Sequence, residues 1–243
     1  MERYAWNWAV LTTAPYVWWI LLGLMWTLLV SLASWAIALV LGSVVGVART
    51  LPGRVPRALA GAYVEVFRNV PLLVQLFVWY FVVPELLPAE WGRWLKRDLP
   101  DAEFWTAVIS LGTYTAARVG ESVRAGIESV GRGQTYAGLA SGLTLPQVYR
   151  HILLPVGYRV TVPALTSELV NVFKNSALAL TIGVLELTSR TRQIAEYTYQ
   201  VIELFTAATV VYALISLLVI FAMRRLEARA RLPGMIAGQP TDA

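Results

Sequence analysis

The stretch VWWILLGLMWTLLVSLASWAIALVLGSVVGVA, Val17–Ala48, runs for 32 residues without one charged side chain. A bilayer core of about 30 Å is crossed by about 20 apolar helical residues, so this stretch is long enough to span one with residues to spare. Composition points the same way. Of the 243 residues 57% are hydrophobic and only 14% are charged, whereas soluble domains carry about a quarter charged. The segment before it, MERYAWNWAVLTTAPY, lacks the basic start and small-residue cleavage site of a leader peptide. The first helix is therefore expected to stay in the membrane.

Working outward, Leu204–Met223 is a second uncharged span. Three further candidates are apolar but interrupted: Ala58–Pro84 by Glu65 and Arg68, Phe104–Ile127 by Arg118, Glu121 and Arg124, and Val160–Leu185 by Glu168 and Lys174. Charges at membrane depth are costly and normally face protein or a water-filled cavity. The middle three helices are thus expected to build a bundle interior, and the first and last to face more lipid. The expected fold class is all-α, a polytopic membrane protein with five transmembrane helices.

An odd number of spans puts the termini on opposite sides. With the C-terminus cytoplasmic, the inside holds eleven basic residues (Arg49, Arg54, Arg57, Arg124, Arg132, Arg150, Arg159, Arg224, Arg225, Arg229, Arg231) and the outside six (Arg3, Arg93, Lys96, Arg97, Arg190, Arg192). That bias predicts the N-terminus outside and the C-terminus cytoplasmic. Trp6, Trp8, Trp18, Trp19, Trp91, Trp94 and Trp105 then gather near the outer interface, where indole rings anchor. The division that follows is an external segment 1–16, a transmembrane domain 17–225 and a cytoplasmic tail 226–243. The net charge of +5 reflects this topology and not nucleic-acid binding. Without cysteine there is no disulfide or thiolate metal site, and the single His151 builds no metal site alone.

On the cytoplasmic side lies GQTYAGLASGLTLPQVYRHILLP, residues 133–155, too polar to span and too apolar for a solvated loop. Gln134–Ser141 suits a helix that Gly142 stops. Thr144-Leu145-Pro146-Gln147 fits a capping box opening a second short helix toward Leu154, which Pro155 is expected to end or kink. Ala137, Leu139, Ala140, Leu143 and Leu145 then need cover, from the chain's own helix ends or from a partner.

Here the residues carry a resemblance. The coupling loop of ABC-importer permeases reads Glu-Ala-Ala, three residues, Gly, nine residues, Ile-x-Leu-Pro. This chain has Tyr136-Ala137-Gly138, three residues, Gly142, nine residues, then Ile152-Leu153-Leu154-Pro155. Tyr136 stands where the motif has Glu, and Gly138 where it has its second Ala. The stretches EVFRNVPLLVQLFVWYFVVP, AARVGESVRAGIESVGRGQ and SELVNVFKNSALALTIGVLELT look like the polar amino acid branch, its glutamate/aspartate members above all. Glutamine, arginine and histidine are the competing substrates within it.

The resemblance implies an importer permease of the bacterial inner membrane, in which Tyr136, Ala137, Gly138, Gly142, Ile152 and Pro155 dock an ATPase. Its implied partners are two ATPase subunits, a second permease, identical or homologous, and an external amino-acid-binding protein. ATP and Mg would sit on the ATPases, with no cofactor in this chain. The residues themselves support that division. Neither lysine, Lys96 or Lys174, follows a glycine, so no phosphate-binding G-x-x-x-x-G-K-[ST] loop exists, and no Ser/His/Asp arrangement is present. The chain is not expected to be an enzyme.

For a substrate path, Arg68 falls roughly 15 Å into its helix, and Arg118 and Lys174 each roughly 20 Å into theirs. Glu65 with Arg68, and Arg118 with Glu121, are three apart and can pair on one helix face. Lys174 has no acid at such spacing. Its neighbours are Asn171, Asn175 and Ser176, and it needs an anion from another helix, with Glu168 and Glu121 as candidates, or from substrate. Pro71 either kinks its helix or breaks it near Asn69, and Gln75 lies one turn on, placed to orient a polar group. The membrane-depth charges sum to zero, Arg68, Arg118 and Lys174 against Glu65, Glu121 and Glu168, so the count alone names no acidic substrate. An ion-coupled secondary transporter is disfavoured by the absence of an inverted repeat. A passive membrane adaptor is disfavoured by the membrane-depth charges.

Overall fold

The computed structural model of the protein describes residues 4–230, and every regular element among them is helical. Arg3 and Arg231, counted above for topology, lie outside the described residues together with the tail from 231 onward. A 3-10 turn, Trp8–Leu11, leads into α1 (Tyr16–Thr50). Next come α2 (Arg54–Asn69), α3 (Leu72–Phe77), a π turn at Val78–Val82 and α4 (Val83–Leu86). After α5 (Ala89–Arg93) and its π turn, α6 runs Ala102–Glu128. Then follow α7 (Arg132–Ala140), α8 (Leu145–Val148), a third π turn at Tyr149–Leu153 and α9 (Leu154–Asn175). A 3-10 helix, Ser176–Ile182, leads on to α10 (Leu187–Thr198) and α11 (Val201–Ala230).

The spine is the pair α1 and α6. Ser34, Ala38, Gly42 and Gly46 are buried at every fourth position of α1, and Gly112, Ala116 and Gly120 answer them on α6. A Cβ at Gly42 would lie 2.7 Å from that of Val119, and one at Gly46 2.7 Å from the Gly120 carbonyl oxygen. Small residues at this spacing let membrane helices bring their backbones together, which is how such pairs gain dispersion energy where lipid offers no hydrophobic drive. Around α6 one core joins Ala107 and Leu111 to Leu72, Leu76, Val172 and Ile182. A second joins Val119, Val123 and Ile127 to Val148, Tyr149 and Leu153. The α6 helix is thus the bundle interior that its charges implied.

Among the described residues two helices are apolar and long enough to cross a membrane, Tyr16–Thr50 and Val201–Arg229. Two bent pairs raise the number to four if each is one span. At 27 residues α6 is about 40 Å long, yet it is not among them on composition. The two prolines resolve differently. At Pro71 the helix breaks, one of the two outcomes expected there: the chain turns by 103° between Arg54–Asn69 and Leu72–Leu86. Pro155, by contrast, does not end its helix. The helix runs on from α8 into α9 because the π turn just before Pro155 absorbs the proline ring and its missing N–H.

Candidate functional site

The 133–155 loop forms the helix–turn–helix that its residues dictate. Gly142 sits at φ +88°, the left-handed region, with nothing within 4 Å of where a Cβ would be. Leu143 N–H donates to Gly138 O at 3.1 Å and Gly142 N–H to Leu139 O at 3.0 Å, closing the C-terminus of α7. Gln147 Oε1 accepts the Thr144 N–H at 2.8 Å, the reciprocal half of the expected capping box. Gly138 is buried, and a Cβ there would meet Ile152 Cδ1 at 2.8 Å, so a side chain at this position would make the end of Ile152 shift.

The apolar residues divide. Leu143 and Leu145 are half-buried in the chain's own helix-end core. Tyr136, Ala137, Leu139 and Ala140 stay exposed, Tyr136 by 65%. Ile152 packs beneath α7, while Pro155 is exposed near the start of α9. The loop therefore carries both a seat in its own protein and a free face.

The two pairs read from helical spacing, Glu65 with Arg68 and Arg118 with Glu121, are not the ones that form. Arg118 Nε donates to Glu168 Oε2 of α9 at 2.9 Å and Arg118 Nη1 to the Tyr114 hydroxyl at 3.3 Å. Glu121 turns instead to Arg49 of α1 and to Arg124, whose Nε lies 2.9 Å away. Glu65 accepts from Asn69 at 3.1 Å and not from Arg68. Both acids that Lys174 might have met are taken. Arg68 and Lys174 are exposed, and neither has a hydrogen-bond or ion-pair partner among the described residues.

Lys174 ends a polar stripe of α9, with Asn171 and Ser167 one and two turns earlier. It sits in the last turn of its helix, where a cation is favoured by the helix dipole. Asn175 is half-buried, and Ser176 turns its hydroxyl to Phe173 O at 2.8 Å. At the α2–α3 break, Gln75 Nε2 donates to Phe67 O and Val70 O, both at 2.9 Å, taking up carbonyls left free beside Pro71. The Oε1 of Gln75 is buried and accepts nothing.

Two carboxylates escaped the sequence reading. Glu186, fully buried, caps α10 by accepting Thr188 N–H at 2.9 Å and Ser189 N–H at 2.7 Å, and it accepts the Tyr212 hydroxyl of α11 at 2.7 Å. Glu203, also fully buried, accepts the Asn7 N–H at 2.7 Å and the Tyr4 hydroxyl, tying residues 4–7 to α11. The available signal was an acid followed two and three residues on by Thr188 and Ser189, the pattern of a helix start.

A family model described as "Binding-protein-dependent transport system inner membrane component" matches residues 38–232. The glutamate/aspartate import permease protein GltJ of Escherichia coli (strain K12) is 46% identical over 242 residues, covering 96% of this chain and 98% of that protein. The glutamine transport system permease protein GlnP of the same organism is 32% identical over 206 residues, covering 85% of this chain and 90% of its own. Among solved structures, an amino acid ABC transporter with histidines superposes with a TM-score of 0.77 at 25% identity, over 93% of this chain and 100% of that one.

Proposed function

Because this chain belongs to the family of binding-protein-dependent transport system inner membrane components, we propose that it is the permease through which an acidic amino acid, glutamate or aspartate, is imported. A permease subunit is a transport component and not an enzyme, and ATP is hydrolysed by a separate subunit. The observation that carries the substrate is the near-full-length identity of 46% to the glutamate/aspartate permease, against 32% to the glutamine one. The side chains agree with it. Once Arg118 and Glu121 have found their partners, Arg68 and Lys174 remain as open cations, which suits a substrate with two carboxylates.

The chain crosses the bacterial inner membrane five times, with α1, the broken α2–α4 segment, α6, α9 and α11 as crossings and the N-terminus outside. The exposed face of α7, with Tyr136, Ala137, Leu139 and Ala140, enters the ATPase, and Gly138, Ile152, Gly142 and Pro155 hold that face in place. Two permeases, this one with a copy or a homologue, enclose the path along Arg68, Asn69, Gln75, Arg118, Glu168, Asn171 and Lys174. An external binding protein delivers substrate, and ATP with Mg on the paired ATPases drives the change of access.

The test is the ATPase activity of the reconstituted complex with its binding protein, screened across amino acids. Glutamate and aspartate are expected to stimulate it most. Stimulation by glutamine, arginine or histidine, with none by glutamate, moves the substrate elsewhere in the family.

A further inference from the structure

The motif of the 133–155 loop passes over Tyr149, yet this residue ties the loop to α1. It is buried, and its hydroxyl donates to Thr50 O at 2.9 Å, with Thr50 Oγ1 3.1 Å away. Among the described residues no other side-chain hydrogen bond joins the loop to a helix beyond it. Thr50 is the last residue of α1, and the carbonyls of a helix's last turn have no partner within it. Tyr149 takes the one at Thr50, and Arg57 Nη2 of α2 takes the next, Leu51 O, at 2.8 Å. Thr50 Oγ1 is itself turned back to Val47 O at 2.8 Å.

The same residue opens the π turn Tyr149–Leu153, and its carbonyl accepts the Leu154 N–H that closes that turn. The α7 helix rests on this turn and on α8. Tyr149 therefore stands where the base of the loop, the entry to α9 and the exit of α1 meet. Val148, Leu153, Val47 and Leu51 share one apolar cluster with it. Apolar contact is non-directional, so the cluster holds the loop beside α1 without fixing its register. A hydrogen bond weakens steeply as it is bent, and the hydroxyl supplies the fixed point. The covalent route does not supply one, since Gly131, at φ −53° and ψ 138°, interrupts the helix between α6 and α7.

We propose that Tyr149 is the positioning residue that carries a movement of the ATPase-facing loop into α1, and through the close α1–α6 contact into the bundle. The inference rests on the reading of the loop as the ATPase's seat, and it names the atom pair through which that seat acts. Without the hydroxyl the loop still presents its exposed face to the ATPase, while its shift is only partly passed to α1. Hydrolysis then proceeds with less transport for each ATP.

The whole complex, with its ATPase and binding protein, is reconstituted in proteoliposomes. ATP hydrolysed is measured per labelled glutamate imported, or per whichever amino acid the screen above selects. Tyr149→Phe keeps the ring in the cluster and removes only the hydroxyl. It is expected to co-purify with the ATPase and to melt within about 5 °C of the wild type. Its ratio of ATP to substrate should rise roughly 2- to 12-fold, the factor that one neutral hydrogen bond gives. Thr50→Val removes the neighbouring hydroxyl but keeps the carbonyl acceptor, and its ratio should stay at the wild-type value. An unchanged ratio in Tyr149→Phe, or a ratio raised as much by Thr50→Val, overturns the inference and leaves the loop as the ATPase's seat. So do uptake and hydrolysis that fall in step with a larger loss of melting temperature, the mark of a merely structural role. Loss of the ATPase from Tyr149→Phe on purification makes the hydroxyl part of the seat and also overturns it. Tyr136→Cys, in a chain with no cysteine of its own, is expected to cross-link to the ATPase through a cysteine-to-lysine reagent. Absence of that cross-link overturns the docking reading and this inference together.

Discussion

Lys174 and Arg118 are both cations at membrane depth, yet their surroundings assign them opposite fates. Arg118 is bonded to Glu168, whose side chain is only 15% exposed. Lys174 touches no acid among the described residues. Lys174→Met should therefore leave the detergent melting temperature unchanged and weaken substrate affinity by roughly 10- to 150-fold, the worth of a charge-assisted hydrogen bond of about 1.5–3 kcal/mol. Arg118→Met strands Glu168 at a cost of about 1–3 kcal/mol and should lower melting by roughly 2–12 °C. Melting and glutamate uptake on one preparation separate the two. A drop in melting for the Lys174 variant would show a partner that the single chain lacks. The charges themselves were legible in the sequence, and so was the isolation of Lys174 on its own helix. Their pairing was not: Glu121 lies three residues from both Arg118 and Arg124 but also faces Arg49, 72 positions away, and only the packed helices decide among them.

Elements were legible where the signal is local. The uncharged runs Val17–Ala48 and Leu204–Met223 fall inside α1 and α11, and Gly142 and Thr144 mark the turn where they were read to do so. They were less legible where a proline can end in several ways. Pro71 breaks its helix where Gln75, five residues after Val70, donates to the Phe67 and Val70 carbonyls that the break leaves free. Pro155 does not, because a wider turn precedes it. The Gly142 turn gives a test that separates conformation from contact. Its position is open to solvent but its φ is positive, so a β-branched side chain is strained there whereas Asn tolerates it. Gly142→Val should cost about 1–2 kcal/mol in the turn and release the ATPase or uncouple transport, while Gly142→Asn should keep both. Co-purification with the ATPase and uptake report on each. Normal coupling in the Val variant would remove the turn from the docking role.

For the molecule as a whole, the proposed five-crossing arrangement requires that the two ends face opposite compartments. A reporter after Ala243 should read cytoplasmic and a tag before Arg3 should be reachable from outside, because the basic residues favour that orientation eleven to six. Both ends on one side would exclude it. The membrane class was plain from composition, but the seam that organises the bundle was overlooked. Its every-fourth-residue small side chains from Ser34 to Gly46 read as ordinary apolar helix until a matching row on α6 faces them. That seam has a mechanical side. Backbones in contact across Gly42 and Gly46 leave no gap into which Val119 or Val123 could ride, so α1 and α6 cannot slide past each other without first coming apart. A movement of one is therefore expected to carry the other, over a length of about 40 Å. The near end, Glu128, is joined to α7 through only Ser129, Val130 and Gly131, so a push on the short helix has a short path into the seam.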